Sequence, residues 1–322
     1  MTAAPRWADT TESPDQAAAL RALAGFSPAP GASADRGAPR ISAPRVVVIA
    51  SGKGGVGKSN LAVNLSICAA QAGSRTVLVD ADMGLANADV LCGMTVAAHL
   101  GHVLDGAAPM EDVAIDAPGG FRLVSGSSGV TRMATLDRAQ RARVLAEIRA
   151  MGATTDLAIV DCGAGIGPTV VEFLGAACLG LVVTTPEPTA IADAYALIKA
   201  AVLRAREGRG RAGLALVVNQ AKSEKEARAV HARIDQVARR FLDERIAFAG
   251  AVREDDAVAA AVRARWPVAL RSPRSRAARD IRSLSGMAVR SLDIRCGPAA
   301  HPQGLVAGLR GVRARRATTS GT

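Results

Sequence analysis

Aromatic residues are almost missing from this chain: 322 residues include two Trp, one Tyr and five Phe, or 2%. Its interior must therefore be filled by Ala, Val, Leu and Ile, and 49% hydrophobic residues suffice for one substantial core. Long apolar runs are missing too, none approaching the roughly 18 to 20 residues that span a bilayer. Cysteine is sparse, odd in number and scattered (Cys68, Cys92, Cys162, Cys178, Cys296) with no CxxC spacing. That pattern excludes a disulfide framework and a metal cluster, and reduced thiols in a cytoplasmic protein are expected. Residues 1–14 carry Asp9 and Glu12 and do not read as a secretory signal. Lysine is the last scarcity. Of 40 basic residues only Lys53, Lys58, Lys199, Lys222 and Lys225 are lysines, and two of them share one short loop. Lysine kept against such a bias suggests that a compact ammonium is needed where a guanidinium fork does not fit.

What charge there is lies unevenly. From Arg271 onward eleven arginines face two acids, Asp280 and Asp293, so the net +11 belongs mostly to the C-terminal region. Such a region suits an anionic surface, lipid or nucleic acid, or is simply solvated. Residues 1–44 are rich in Pro, Ala and Gly, with a short helix expected after Asp15 and a flexible linker over 27–44. From Arg45 the pattern changes to continuous apolar runs at 46–50, 76–80, 157–161, 179–185 and 214–219, with a further strand expected at 246–252. Continuous rather than alternating hydrophobicity marks strands buried on both faces. Between and after them, 59–72, 136–151, 168–177, 189–206, 223–241, 254–264 and 274–293 have helical length and composition. The expected fold is α/β: a doubly wound, mostly parallel sheet with helices on both faces, over 45–295. In 296–322, Leu305, Leu309 and Val312 share one helical face beside several arginines, but Gly304, Gly308 and Gly311 break it. An amphipathic membrane anchor and a disordered tail both remain open.

The chemistry starts at residues 46–59, an apolar strand followed by GxxxxGKS and a helix. Glycines there let backbone N–H groups converge on phosphate, and the helix N-terminus adds a favourable dipole. Lys58 is expected to reach the β- and γ-phosphates of ATP, with the Ser59 hydroxyl on Mg²⁺. Asp80 and Asp82 end one strand run and Asp161 another, at the carboxyl edge where ligands sit in open α/β sheets.

The form Lys53-Gly54-Gly55-Val56-Gly57-Lys58-Ser59 resembles the deviant Walker A family, which includes the ParA, MinD and nitrogenase iron proteins. The resemblance covers roughly 45–265. It implies that Lys53 crosses a dimer interface to the phosphates of the partner subunit, so that hydrolysis depends on an ATP-dependent homodimer. By the same resemblance, Asp82 positions the attacking water, Asp80 supports the Mg²⁺ water shell and Asp161 holds Mg²⁺ through water. Gly52, Gly54, Gly55, Val56, Gly57, Lys58, Ser59 and Asn60 become the nucleotide cradle. Asn219 takes the position that reads adenine, and Asp193 an acidic position near the extra lysine.

Iron-sulfur relatives need cysteines absent here, tyrosine kinases of the superfamily carry a tyrosine cluster where this chain has only Tyr195, and arsenite-pump ATPases have two P-loops. Residues 80–91, 161–166 and 184–199 look like the MinD-like flagellar-number regulators called FlhG or FleN, although Cys162 stands where that family usually has Thr. Asp15, Gln16, Leu20 and Arg21 match its DQAxxLR element, which implies contact with an FlhF-like GTPase. Flagellar switch proteins or a flagellar transcription regulator are further implied partners, together with reversible attachment to the inner face of the cell membrane. A MinD-type division-site ATPase and a ParA-type ATPase that binds nucleic acid are the alternatives.

Overall fold

The computed structural model describes residues 43–82, 84, 86–126, 136–208 and 213–295, the side chains of 293–295 excepted. Eight strands form one sheet: β1 (Arg45–Ser51), β2 (Thr76–Ala81), β3 (Ile115–Asp116), β4 (Arg122–Val124), β5 (Leu157–Ala164), β6 (Leu179–Thr184), β7 (Gly213–Ala221) and β8 (Ala247–Arg253). Their order is β3-β4-β2-β5-β1-β6-β7-β8. All neighbours are parallel except the short β3–β4 pair at one edge. The expected doubly wound sheet is what forms; five of the six anticipated strands fall within two residues of their expected bounds, and β5 runs three residues past its expected end.

The helices explain why the strands lack alternation. Among the described residues these are α1 (Lys58–Gln71), α2 (Ala88–Leu91), α3 (Leu100–Leu104), α4 (Met110–Val113), α5 (Arg138–Ala150), α6 (Pro168–Ala176), α7 (Pro188–Arg206), α8 (Glu224–Leu242), α9 (Asp256–Arg263), α10 (Val268–Arg271) and α11 (Arg276–Arg295). Val46, Val48 and Ala50 of β1 point into a core shared with α3 to α8, whereas Val47 and Ile49 point into a second core built with α1, α9, α10 and α11. Water reaches neither face, so both sets must be apolar. Phe121 and Phe173 are the only aromatics among the largest fully buried side chains, and aliphatic residues fill the rest.

Local chemistry sets the helix ends. Asp137 and Gln140 form a reciprocal capping box, so the helix expected from 136 starts at Arg138 instead. Proline at the first position opens α6 and α7, where no N–H is needed. Residues 86–126 hold three helices of four or five residues and two strands of two or three, an insertion for which the sequence pattern carried no expectation. Among the described residues no helix is long and apolar enough to cross a membrane. The proposed partner element (Asp15, Gln16, Leu20, Arg21) and the tail 296–322 lie outside the described residues.

Candidate functional site

The site lies at the carboxyl edge of β1, β2 and β5. Parallel pairing puts Asp80 opposite Asp161 and Ile49 opposite Asp161, so three strand ends reach the same level, with Asp161 on the middle strand β5 and the phosphate loop leaving from β1 beside it. That loop turns on glycines. Gly55 and Gly57 have φ of 82° and 84°, a region costly for other residues. At Gly57 there is a steric reason as well: an added Cβ would lie 2.4 Å from Nδ2 of Asn219. Gly52 is needed for a different approach, because a Cβ there would lie 2.1 Å from the Asp193 carbonyl oxygen in α7. Asp193 thus meets the loop through its backbone. Asn219, at the end of β7, donates its amide to the Val56 carbonyl at 2.8 Å and braces the loop from the side.

The two loop lysines engage different carboxylates. Lys58, almost fully buried at the start of α1, donates to Oδ1 of Asp161 at 2.7 Å, with the Ser59 hydroxyl 3.5 Å from its ammonium. Burial is the largest influence and pushes the Lys58 pKa down, but the charge and hydrogen bond of Asp161, with the Asp82 charge, together outweigh it and raise the pKa. Burial pushes the Asp161 carboxyl up, opposed by Lys58 and by the Ser59 hydroxyl. The second oxygen of Asp161, Oδ2, is buried with no hydrogen-bond partner. Lys53 is half-exposed. Its ammonium donates to Oε1 of Glu187 at 2.7 Å and to the Thr189 hydroxyl at 2.8 Å, both at the N-terminal end of α7. Lys53 in turn holds the Glu187 carboxyl below its ordinary range.

The remaining carboxylates divide the work. Asp80 is fully buried, and its oxygens accept from the backbone N–H of Asp82, Asn87 and Ala88, each at 3.1 Å. It organises the turn after β2 from beneath, and burial followed by the Asp161 charge pushes its carboxyl up to about 7. Asp82 is only half-buried, accepts from the Gly84 N–H at 3.2 Å, and lies over Gly163, where a Cβ would stand 3.5 Å from its Oδ1. Asn60 lines the same cleft, and its side-chain oxygen accepts from Asn64 at 2.9 Å.

The cleft has a volume of about 940 Å³. Sequence reasoning missed part of its lining: Gln220, the run Arg253–Glu254–Asp255 that begins with the last residue of β8, and Val258 and Val262 of α9. Gln220 gave one usable signal, since it follows the strand-ending Asn219; it takes φ of 56° at a bulge of β7. A magnesium nucleotide fits the chemistry of this donor set. A buried carboxylate oxygen lacking a partner suits a cation's water shell, and a buried ammonium and a hydroxyl stand beside it where phosphate charge would come.

Comparison with known proteins agrees with the geometry. Residues 47–268 match the family described as CobQ/CobB/MinD/ParA nucleotide binding domain. The antiactivator FleN of Pseudomonas aeruginosa is 40% identical over 233 residues, spanning 72% of this chain and 82% of that protein. The flagellum site-determining protein YlxH of Helicobacter pylori is 32% identical over 250 residues, 77% of this chain and 83% of its own. Among solved structures, the septum site-determining protein MinD of Pyrococcus horikoshii, complexed with Mg-ADP, superposes with a TM-score of 0.62 at 22% identity, covering 78% of this chain and 98% of that one. A phosphate loop after β1, carboxylates from β5 beside it and from β2 beyond, and a match across the whole sheet lead to one assignment: the chain belongs to the MinD/ParA-type nucleotide-binding family, on its FleN/FlhG branch.

Proposed function

We propose that this chain is a MinD-like ATPase that regulates flagellar number, acting as a switch whose ATP-bound form is a homodimer. The likeness to FleN and YlxH supports the flagellar role. The observation that carries the dimer is the split between the two loop lysines. Lys58 serves the buried Asp161, while the Lys53 ammonium is engaged at the rim with Glu187 and Thr189. A lysine held at the rim by exposed partners can exchange them at little cost for the phosphates bound by a facing subunit.

In this reading the Gly54–Gly57 backbone, Lys58 and Ser59 hold the phosphates, with Ser59, Asp161 and, from beneath, Asp80 on the magnesium side. Bound magnesium would supply positive charge to the β- and γ-phosphate oxygens. Asp82, half-exposed over Gly163, orients the attacking water. Lys53 of one subunit adds charge at the other's phosphates, where negative charge builds as the γ-phosphoryl leaves. Asn219 braces the loop and presents its amide to the base. Dimer closure strengthens attachment of a weak C-terminal anchor to the inner face of the membrane by doubling it, and hydrolysis releases it. Asp15, Gln16, Leu20 and Arg21 contact an FlhF-like GTPase.

The test is turnover per chain as a function of chain concentration, read beside light scattering in ATP and in ADP. Turnover should rise with concentration and saturate as the ATP dimer fills. Turnover per chain that is constant across the monomer range would sink the dimer switch, and unchanged flagellar number after deleting the gene would sink the flagellar role.

A further inference from the structure

Three residues leave the end of β8 and line the nucleotide cleft: Arg253, Glu254 and Asp255. Each is tied to a different neighbour. Arg253 grips Asp280 of α11 with three bonds, from its backbone N–H (3.0 Å) and Nε (2.9 Å) to Oδ2 and from Nη2 to Oδ1 (2.7 Å). The Glu254 N–H donates to the Ala221 carbonyl of β7 at 2.9 Å. Asp255 caps two helices with one carboxylate: Oδ1 accepts from the Ala257 N–H of α9 and Oδ2 from the Ala277 N–H of α11, both at 3.0 Å. Ile281, next to Asp280, is itself part of the cleft wall. This short strap therefore joins β7, α9 and α11 where all three border the cleft.

We propose that Arg253 and Asp255 are positioning residues for the nucleoside portion of the nucleotide, fixing the cleft wall to α11 so that occupancy of the cleft steadies that helix. The proposal rests on the nucleotide-binding reading and extends it. Phosphates are claimed by the glycine loop and Lys58, so the nucleoside extends along the lining that Asn219, Gln220 and 253–255 provide. A wall already held by a bidentate, charge-assisted pair loses little freedom when a ligand docks, which favours binding. Coupling is reciprocal: if the strap lets α11 improve nucleotide affinity, nucleotide must stabilise α11 by the same factor. Phosphate contacts made at the loop alone lie outside this coupling, which gives the test its control.

The full-length chain, with Arg253→Ala, Asp280→Ala and the double variant, is titrated calorimetrically with magnesium plus ATP and, separately, magnesium plus inorganic tripolyphosphate. Each single variant should bind ATP about tenfold more weakly, and the double no more weakly than either, because one bond network is lost in all three. Tripolyphosphate affinity should stay within about twofold of wild type. Arg253→Lys keeps the charge without the fork and should fall between, which covers the case of a poorly folded alanine variant. Hydrogen exchange over residues 276–292 should slow with ATP in the wild type and less so in Arg253→Lys. Equal losses for ATP and tripolyphosphate, or a lowered melting temperature with unchanged ATP affinity, would reduce the strap to a structural brace. Wild-type chain that binds tripolyphosphate and ATP with one affinity would overturn the positioning role, whereas binding neither would overturn the nucleotide reading beneath it.

Discussion

Replacing Lys58 with Met tests the buried ion pair at the heart of the site. Lys58 and Asp161 are 7% and 0% exposed and 2.7 Å apart, and Asp80 lies opposite Asp161 on the next strand. Removing one partner of such a pair leaves an uncompensated buried charge at a cost of about 3–5 kcal/mol. At about 2–4 °C per kcal/mol for a domain of this size, the melting temperature should drop by roughly 10 °C. Asp161→Asn should cost less. It also removes the charge that helps push up the Asp80 pKa, and it leaves Asp80 near the ammonium. Lys58→Met combined with Asp161→Leu should recover most of the lost stability, because a well-packed apolar pair avoids the desolvation that an ion pair must offset. Function separates from stability here. Mg-ATP at a hundred times its dissociation constant stabilises a binder by about 2.7 kcal/mol, and none of the three variants should show that gain. Calorimetric melting with and without Mg-ATP reads both effects. A Lys58→Met protein that melts with the wild type and is still protected by Mg-ATP would refute both the pairing and its part in phosphate binding.

Lys53→Ala should leave Mg-ATP binding within about threefold of wild type yet abolish both the ATP-dependent dimer in light scattering and turnover; a dimer that persists would remove the trans lysine from the mechanism. Gly57→Ala meets both a positive φ and Asn219 at 2.4 Å, so phosphate binding should fall by at least about tenfold, while Gly54→Ala, with open space around it, should bind nearly normally in the same titration. Acid stability follows from Asp156, held below its ordinary 3.8 by the Arg75 hydrogen bond, and Asp255, held below it by the Ala277 N–H. Because the unfolded chain binds these protons first, their contribution is complete above about pH 4 and is lost as pH falls through the lower folded values. Asp156→Asn should therefore flatten the acid limb of a denaturation titration below about pH 4, and an unchanged limb would contradict the assignment.

The sheet was legible because it is buried on both faces. A strand such as β1, with Val46 and Val48 in one core and Val47 and Ile49 in the other, has no polar position to blur its run. The segment 86–126 was not legible for the converse reason. Helices of four residues complete barely one turn, and strands of two cannot display a period. Their conformations depend instead on tertiary bonds such as the Leu100 N–H to the Ser125 carbonyl. The phosphate loop stood out since glycine spacing is itself the chemistry. Arg253 and Asp255 did not, because an acid after a strand reads as a cap and an arginine in an arginine-rich chain carries no signal.

The extra lysine shows how far residue identity goes before topology must take over. Its rarity among 40 basic residues marks Lys53 as chosen, but its carboxylate partner lies 134 residues away. Only strand order joins them. β1 and β6 are parallel neighbours, with Ala50 opposite Val182, so the loop after each strand emerges beside the other at the same edge. Lys53 follows one strand by two residues and Glu187 the other by three, which brings ammonium and carboxylate together without any local pattern linking them. A doubly wound sheet forces loops of distant origin to share one edge. The same geometry makes Lys53 a rim residue while Lys58, five positions later and the first residue of α1, reaches the buried Asp161. A two-lysine loop on a central strand is thereby divided between an interior charge paired with Asp161 and a peripheral one paired with Glu187 and Thr189.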